Sequence, residues 1–412
     1  MIVALWACTP RSIETLHGDS APPRAVDTGV ELAPGDTASD ADTAEPEGPE
    51  GDLYDPSAIH ALTLELSDEA YRELERDGRD FVPATLGFEG YQFEVAIHIK
   101  GSSSWQPIGD KPSLIVDINH YDPEQEFLGL KKFYLHNDCY DPSQMSSSLS
   151  YGFYREWGYP ASRSGFAQLE LNGRDYGLYV VVEPHNDDFL QAWFDDPNGN
   201  LYENAEAYCD VTDVSCMEVE ENDEGNDDAL RALGQAARLD GAEWEEAMRA
   251  HLDWERWVAY LALERSIVHW DSYSYDLSNY QLYHEPSRDK WTFLTQSMDL
   301  DYGYRPWSYE DCGMYGMDLD KYDMGMLAQG CEENDACMTE MAAAVMAYAD
   351  LLEAADGAAR VRELDALIGE AVRADPRRYW SDAEYEVHVA CLQDFFEARP
   401  RQLRDWAGTF LD

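Results

Sequence analysis

The chain has 412 residues, with 29 Lys and Arg against 83 Asp and Glu and a formal net charge of −54. That charge excludes nucleic-acid or anionic-lipid binding driven by electrostatics, because there is no basic footprint to displace phosphate counterions. Hydrophobic residues make up 44% and aromatics 12%; with no apolar run near 18 residues, this predicts two or three folded domains and no transmembrane helix.

Residues 1–7 are short and apolar, and Cys8 follows them. Leu5-Trp6-Ala7-Cys8 resembles the lipobox of bacterial lipoproteins, which implies lipidation at Cys8 and export, with residues 1–8 the remnant of a signal. Residues 9–56 hold twelve acids and two arginines and are nearly free of aromatics. Such a stretch cannot offset its ordering entropy by burial, so it is expected to be a disordered acidic linker.

From 57 to 185 strand signals dominate. Leu62, Leu64 and Leu66 alternate, and Ser67 is placed to cap a short helix running through Asp77, with Asp68 and Glu69 in its first turn. Apolar residues alternate over 91–100, a strand of period two. Further strands are expected over 114–118 and 132–136, and a helix over 142–157. Asn172-Gly173 between 168–171 and 176–183 is a hairpin signal. This half reads as an antiparallel sheet with one principal helix packed on it.

From 186 to 412 the pattern changes. Residues 186–228 hold fifteen acids and no Lys or Arg. Helices are predicted over 229–239, 243–251 and 253–269, then strands over 280–284 and 291–294, acidic loops over 303–337, and helices to the end. A sheet-rich unit followed by a helical one is an α+β plan. Eight cysteines without a C-x-x-C pair argue against a zinc ribbon; in an exported chain they read as disulfides of undetermined connectivity.

No P-loop, dinucleotide fingerprint, nucleophile elbow or H-E-x-x-H stands in the chain. Two constellations carry chemistry. In Lys100-Gly101-Ser102-Ser103-Ser104, followed by Lys111, the glycine permits a tight turn, successive amides and hydroxyls suit an anion, and a lysine can hold phosphate. A serine-rich turn with solvated lysines is the plainer reading. Asn279, Asp299 and Asp301 offer hard oxygen ligands for Mg²⁺, and Asp271 can accept a proton from a hydroxyl nucleophile. Ca²⁺ at Asp195, Asp196, Asn198 and Asn200, or over 218–228, matches no EF-hand spacing, and a solvated acidic loop is the simpler expectation.

These pieces together resemble the CotH family of spore-coat kinases and their secreted relatives. Lys100-Gly101-Ser102-Ser103-Ser104 is similar to its R-G-x-S-S element. Tyr159-Pro160-Ala161 with Leu171-Asn172-Gly173, Gly177-Leu178-Tyr179 and Glu183 is similar to its most recognisable block. Gly199-Asn200-Leu201-Tyr202, Asp271 with Asn279-Tyr280, Asp299-Leu300-Asp301 and Phe396-Ala398-Arg399-Pro400 follow in order. Ser146, Met298 and Lys100 depart from the family's arginine, tryptophan and arginine.

The resemblance implies an atypical kinase-like fold of two lobes, an antiparallel-sheet N-lobe and a mainly helical C-lobe. It also implies phosphoryl transfer from ATP, with Mg²⁺ or Mn²⁺, to protein Ser/Thr hydroxyls. Asp271 would serve the acceptor, Asn279, Asp299 and Asp301 the metal, and Lys100, Ser102, Ser103 and Lys111 the phosphates; Glu183 would lie near the adenine. The acidity of the chain points to a basic, Ser/Thr-rich acceptor at the bacterial surface or in the periplasm, with membrane attachment only through the lipid. The competing expectation is a surface or adhesion module that keeps the fold without catalysis.

Overall fold

The computed structural model describes residues 49–411, except 205–207, 223–226, 304–318, 321 and 323. Cys8, the signal remnant, Cys312 and nearly all of the expected linker lie outside the described residues. The linker's last residues do not behave as linker: Leu53 and Tyr54 are buried. Gly165 admits them, since a Cβ there would stand 2.4 Å from the Leu53 carbonyl oxygen.

Seven strands follow: β1 (Ile59–Glu65), β2 (Val82–Phe88), β3 (Tyr91–Lys100), β4 (Ser113–Asp117), β5 (Lys132–His136), β6 (Ser164–Leu171) and β7 (Arg174–Val182). Their order is β1-β2-β3-β4-β5-β7-β6, and they close into a barrel. The closing pair is parallel, Ile59 opposite Phe166 through Leu64 opposite Leu171. The expected antiparallel sheet is therefore corrected to a barrel in which one pair is parallel; closure removes both open edges. Val95, Ile97 and Ile99 fill its interior while His98 and Lys100 point outward, as the alternation requires. Asn172 and Gly173 take φ of 50° and 69°, the left-handed pair that a two-residue hairpin needs.

Helix α1 (Asp68–Arg76) begins as expected, with Ser67 Oγ accepting from Ala70 N at 3.1 Å, and it packs Ala70 and Leu74 on the barrel interior. Helix α2 (Ser146–Glu156) starts four residues later than predicted. Asp141 accounts for the delay: its carboxylate accepts from Ser143 N and Oγ and from Ser146 N, holding the preceding turn. This principal helix joins the second core rather than the barrel's; Phe153 lies 5.4 Å from the Phe396 ring.

After α3 (Asp187–Trp193), whose Phe189 and Leu190 form a small separate cluster with Leu201, Tyr283 and Leu294, that second core is built from β8 (Leu201–Asn204), β9 (Met217–Glu221), α4 (Asp228–Ala236), α5 (Gly241–His251), α6 (Trp254–Ile267), α7 (Tyr273–Asp276), β10 (Tyr280–Glu285), β11 (Lys290–Thr295), α8 (Met326–Glu332), α9 (Asp335–Ala354), α10 (Gly357–Ala374) and α11 (Asp382–Ala407). The strands form an antiparallel sheet, β11-β10-β8-β9. Helix α6 is buried on nearly every face although it carries Glu264 and Arg265; Arg265 is ion-paired with Glu332, as a buried charge requires. Cys209 pairs with Cys216 and Cys331 with Cys337; Cys391 is also disulfide-bonded, and Cys139 keeps a buried thiol.

Candidate functional site

Helix α6 ends at Val268, whose φ of 59° turns the chain sharply and releases His269-Trp270-Asp271 from the helix. The next residues make the single turn α7. Asn279 then sits at φ 49° and donates its side-chain amide to the Asp271 carbonyl and to Asp271 Oδ2, both at 2.7 Å. Two residues eight positions apart are thus locked together, as their assignment to one site requires.

Asp299 lies in a single 3₁₀ turn, Met298–Leu300, after β11. Its carboxyl is pushed up to about 8, first by burial and then by Asp138, with Asp141 and Asp271 adding to the rise and His136 opposing it. Asp138 is likewise pushed up to about 8, by burial and then by Asp141. It stands just beyond β5 at φ 39°, 3.4 Å from His136 Nδ1, its carboxylate fully buried, with the Ser147 hydroxyl and the Lys111 charge opposing the rise. Asp138 and His136 escaped the sequence reading because no motif marks them; the available signal was an Asn-Asp pair directly after a strand.

Asp301 is also raised by burial, with His269 opposing and Asp271 adding to the rise. Its Oδ1 takes a 2.6 Å bond from His269 Nδ1, both side chains being fully buried. Among the described residues no three His, Cys, Asp or Glu side chains already surround one metal-sized point. The donor chemistry nevertheless fits a hard divalent cation: Asp138 and Asp299 are crowded carboxylates whose charge burial disfavours, which such an ion relieves.

The two lysines separate sharply. Lys100 ends β3 on the barrel's outer face, with Nζ 5.2 Å from the Tyr134 ring centre; burial first, and then the Lys100 charge, push down the pKa of His136 beside Asp138. Lys111 is completely buried and ion-paired with Asp375 Oδ2 at 2.7 Å. The expectation that Lys111 faces phosphate is therefore corrected; its charge is spent joining the barrel to the loop after α10. Asp375 Oδ2 also accepts from Leu178 N at 2.9 Å, and Gly177 leaves it room, since a Cβ there would lie 1.7 Å from that oxygen.

The loop after Lys100 turns at Gly101, φ 113°, as the glycine predicted. Ser102 and Ser103 are exposed. Tyr140 Oη donates to the Ser103 carbonyl at 2.9 Å and Asn137 Nδ2 to the Ser104 carbonyl at 3.3 Å, so the loop is pinned over the residues that lead to Asp138. Glu183 follows β7, and its carboxylate is committed to Arg163: Oε2 accepts from the backbone N at 2.8 Å and Oε1 from Nε at 2.9 Å. It braces the crossover between the two cores rather than presenting a carboxylate to a base.

Of the calcium candidates, Asp196 Oδ1 accepts from Asn198 N and Nδ2, and Asn222 Nδ2 donates to the Pro197 and Gly199 carbonyls. That loop is closed by its own bonds. Residues 223–226 of the second candidate lie outside the described residues.

A family model described as CotH kinase protein matches residues 97–403. Inner spore coat protein H of Bacillus subtilis (strain 168) is 24% identical over 246 residues, which is 56% of this chain and 66% of that relative. The match therefore spans just under two thirds of the curated relative, and β1 and β2 lie outside the residues 97–403 that the family model matches.

Proposed function

The chain belongs to the CotH family, and on that premise we propose that it is an exported atypical kinase that moves the γ-phosphoryl group of ATP to Ser or Thr of a surface or secreted protein. The barrel and the helical core would be its two lobes. The observation that carries this reading is the union of Asp271, clamped by Asn279, with the raised carboxyls of Asp138 and Asp299.

As the acceptor oxygen forms its bond to phosphorus, the bond from phosphorus to the β–γ bridging oxygen breaks, and the hydroxyl proton passes to Asp271. Asn279 holds that carboxylate in one orientation. Lys100 supplies the point charge against the phosphates that Lys111 cannot, and the amides of 101–104 with the Ser102 and Ser103 hydroxyls complete an anion-binding turn. Mg²⁺ or Mn²⁺ held by Asp138 and Asp299, with the Asn279 amide oxygen beside them, would neutralise charge on the phosphate oxygens.

Export is supported by the disulfides Cys209–Cys216 and Cys331–Cys337, which persist in oxidising compartments; no helix among the described residues is long and apolar enough to cross a membrane. Attachment through a lipidated Cys8 completes this reading. The net charge of −54 favours a basic, Ser/Thr-rich acceptor. A non-catalytic surface module is the second reading, favoured by the loss of Lys111 to a buried ion pair.

One experiment separates them. Parent protein is heated with ATP, with and without Mg²⁺, and incubated with γ-labelled ATP and protamine. A Mg²⁺-dependent rise in Tm and label on protamine, absent in Asp271→Asn, are expected. No shift and no label would leave the non-catalytic module.

A further inference from the structure

Four polar side chains cross the junction between the two cores as one hydrogen-bonded chain. Glu203 on β8 and Gln281 on β10 are direct cross-strand partners, and Gln281 Nε2 donates to Glu203 Oε2 at 2.9 Å. Gln281 Oε1 is 2.7 Å from His185 Nδ1, and His185 Nε2 is 3.1 Å from Ser162 Oγ. Ser162, His185 and Gln281 are all buried, and Glu203 is half-buried.

The charge of Glu203 sets every direction in this chain. A carboxylate only accepts, so the Gln281 amide must present Nε2 to it and Oε1 to the histidine. The histidine then carries its proton on Nδ1, and its bare Nε2 accepts from the Ser162 hydroxyl. Burial pushes the His185 pKa down to about 4, consistent with the neutral ring that this pattern requires.

Three buried groups thus hold one carboxylate in place. Glu203 Oε2 accepts from Gln281, and among the described residues Oε1 is the oxygen left to accept from a ligand. Burial first, and then Glu203 with Glu220 and Glu221, push the Tyr134 phenol up, and Lys100 extends over that ring. The hydrogen-bonded chain joins Glu203 to the crossover at Ser162 and His185, and Tyr134 links it to the cation assigned to phosphate. The ribose of a nucleotide lies between its base and its phosphates, and it carries a pair of hydroxyl donors.

We propose that Glu203 is the ribose anchor of the nucleotide site, accepting hydrogen bonds from the 2′- and 3′-hydroxyls, and that Gln281, oriented by His185 and Ser162, is its positioning residue. The proposal rests on the kinase reading and adds a sugar-specific contact to it. A carboxylate acceptor discriminates strongly against a missing hydroxyl, because its desolvation is then uncompensated.

The test is calorimetric titration of the full chain with Mg-ATP, Mg-2′-deoxy-ATP and Mg-3′-deoxy-ATP. The parent is expected to prefer ATP by about tenfold over either deoxy analogue. Glu203→Gln, nearly the same size, should retain the parent's Tm and bind all three within about twofold. Gln281→Met keeps the charge but releases it, and should give an intermediate ratio. A parent that binds ATP without ribose preference, or Glu203→Gln with the preference intact, overturns the anchor while leaving the kinase reading standing. A parent-like ratio in Gln281→Met overturns the positioning role. A parent that binds no nucleotide overturns the kinase reading and the anchor together.

Discussion

Asn279 donates one amide nitrogen to two oxygens of Asp271, the backbone carbonyl and Oδ2, each at 2.7 Å. A residue held this way from a left-handed backbone position spends conformational strain to fix a neighbour, a cost concentrated at functional sites. Asp271→Asn should therefore lower kcat by about 10²- to 10⁴-fold and leave the affinity for Mg-ATP within about threefold of the parent. Steady-state kinetics alongside calorimetric binding would check this; equal loss of binding and turnover would move Asp271 into the nucleotide site.

Asp138→Asn should weaken Mg-ATP binding at least about tenfold and leave metal-free ATP binding unchanged. The two titrations, run side by side, decide whether this residue holds the cation.

The lysines should diverge. Lys100→Met is expected to reduce nucleotide affinity with little change in stability, since the side chain lies on the outer barrel face. Lys111→Met leaves Asp375 buried and uncompensated and should cost about 3–5 kcal/mol of stability, measured by urea unfolding. The double variant Lys111→Met, Asp375→Leu should recover part of that loss.

Acid should destabilise the fold through its buried histidines. His136 and His185 fall from the ordinary 6.5 to about 4, each chiefly by burial. Between those values the unfolded chain binds more protons than the folded one, so stability rises with pH in that window. It is lost as pH falls from about 6.5 toward 4, on the order of 3 kcal/mol for each group. Unfolding free energies across that range, compared with His185→Gln, should show the slope reduced by about one proton. An unchanged slope would remove His185 from the account.

Much of the fold was legible where pattern and chemistry agreed. The alternation of 91–100 and the Asn172-Gly173 turn gave β3 and the β6–β7 hairpin because side-chain period and turn geometry are local properties. β2 was missed because Pro83 and Gly87 interrupt its apolar pattern. The closing β1–β6 pairing joins residues about a hundred positions apart, and no local signal encodes it. The site shows the same division. Asp271 and Asn279 were legible as chemistry near a helix end, and the structure brings them together. The fate of Lys111 was not legible, because its partner, Asp375, lies 264 positions away. Asp138 was hidden for a related reason: burial raises its carboxyl first and the nearby Asp141 next, and burial together with its coupling to the distant Asp299 leaves no local motif.

The docking of Leu53 and Tyr54 against Gly165 has a mechanical consequence. Any pull arriving from the acidic segment before them enters the barrel along β1. That strand pairs in parallel with β6 over six registered positions, Ile59 opposite Phe166 through Leu64 opposite Leu171. Traction along β1 loads those bonds in shear, all at once, rather than peeling them one after another. Rupture under force is a question of unfolding rate rather than equilibrium stability, and this geometry places its resistance at the point where a tether would enter.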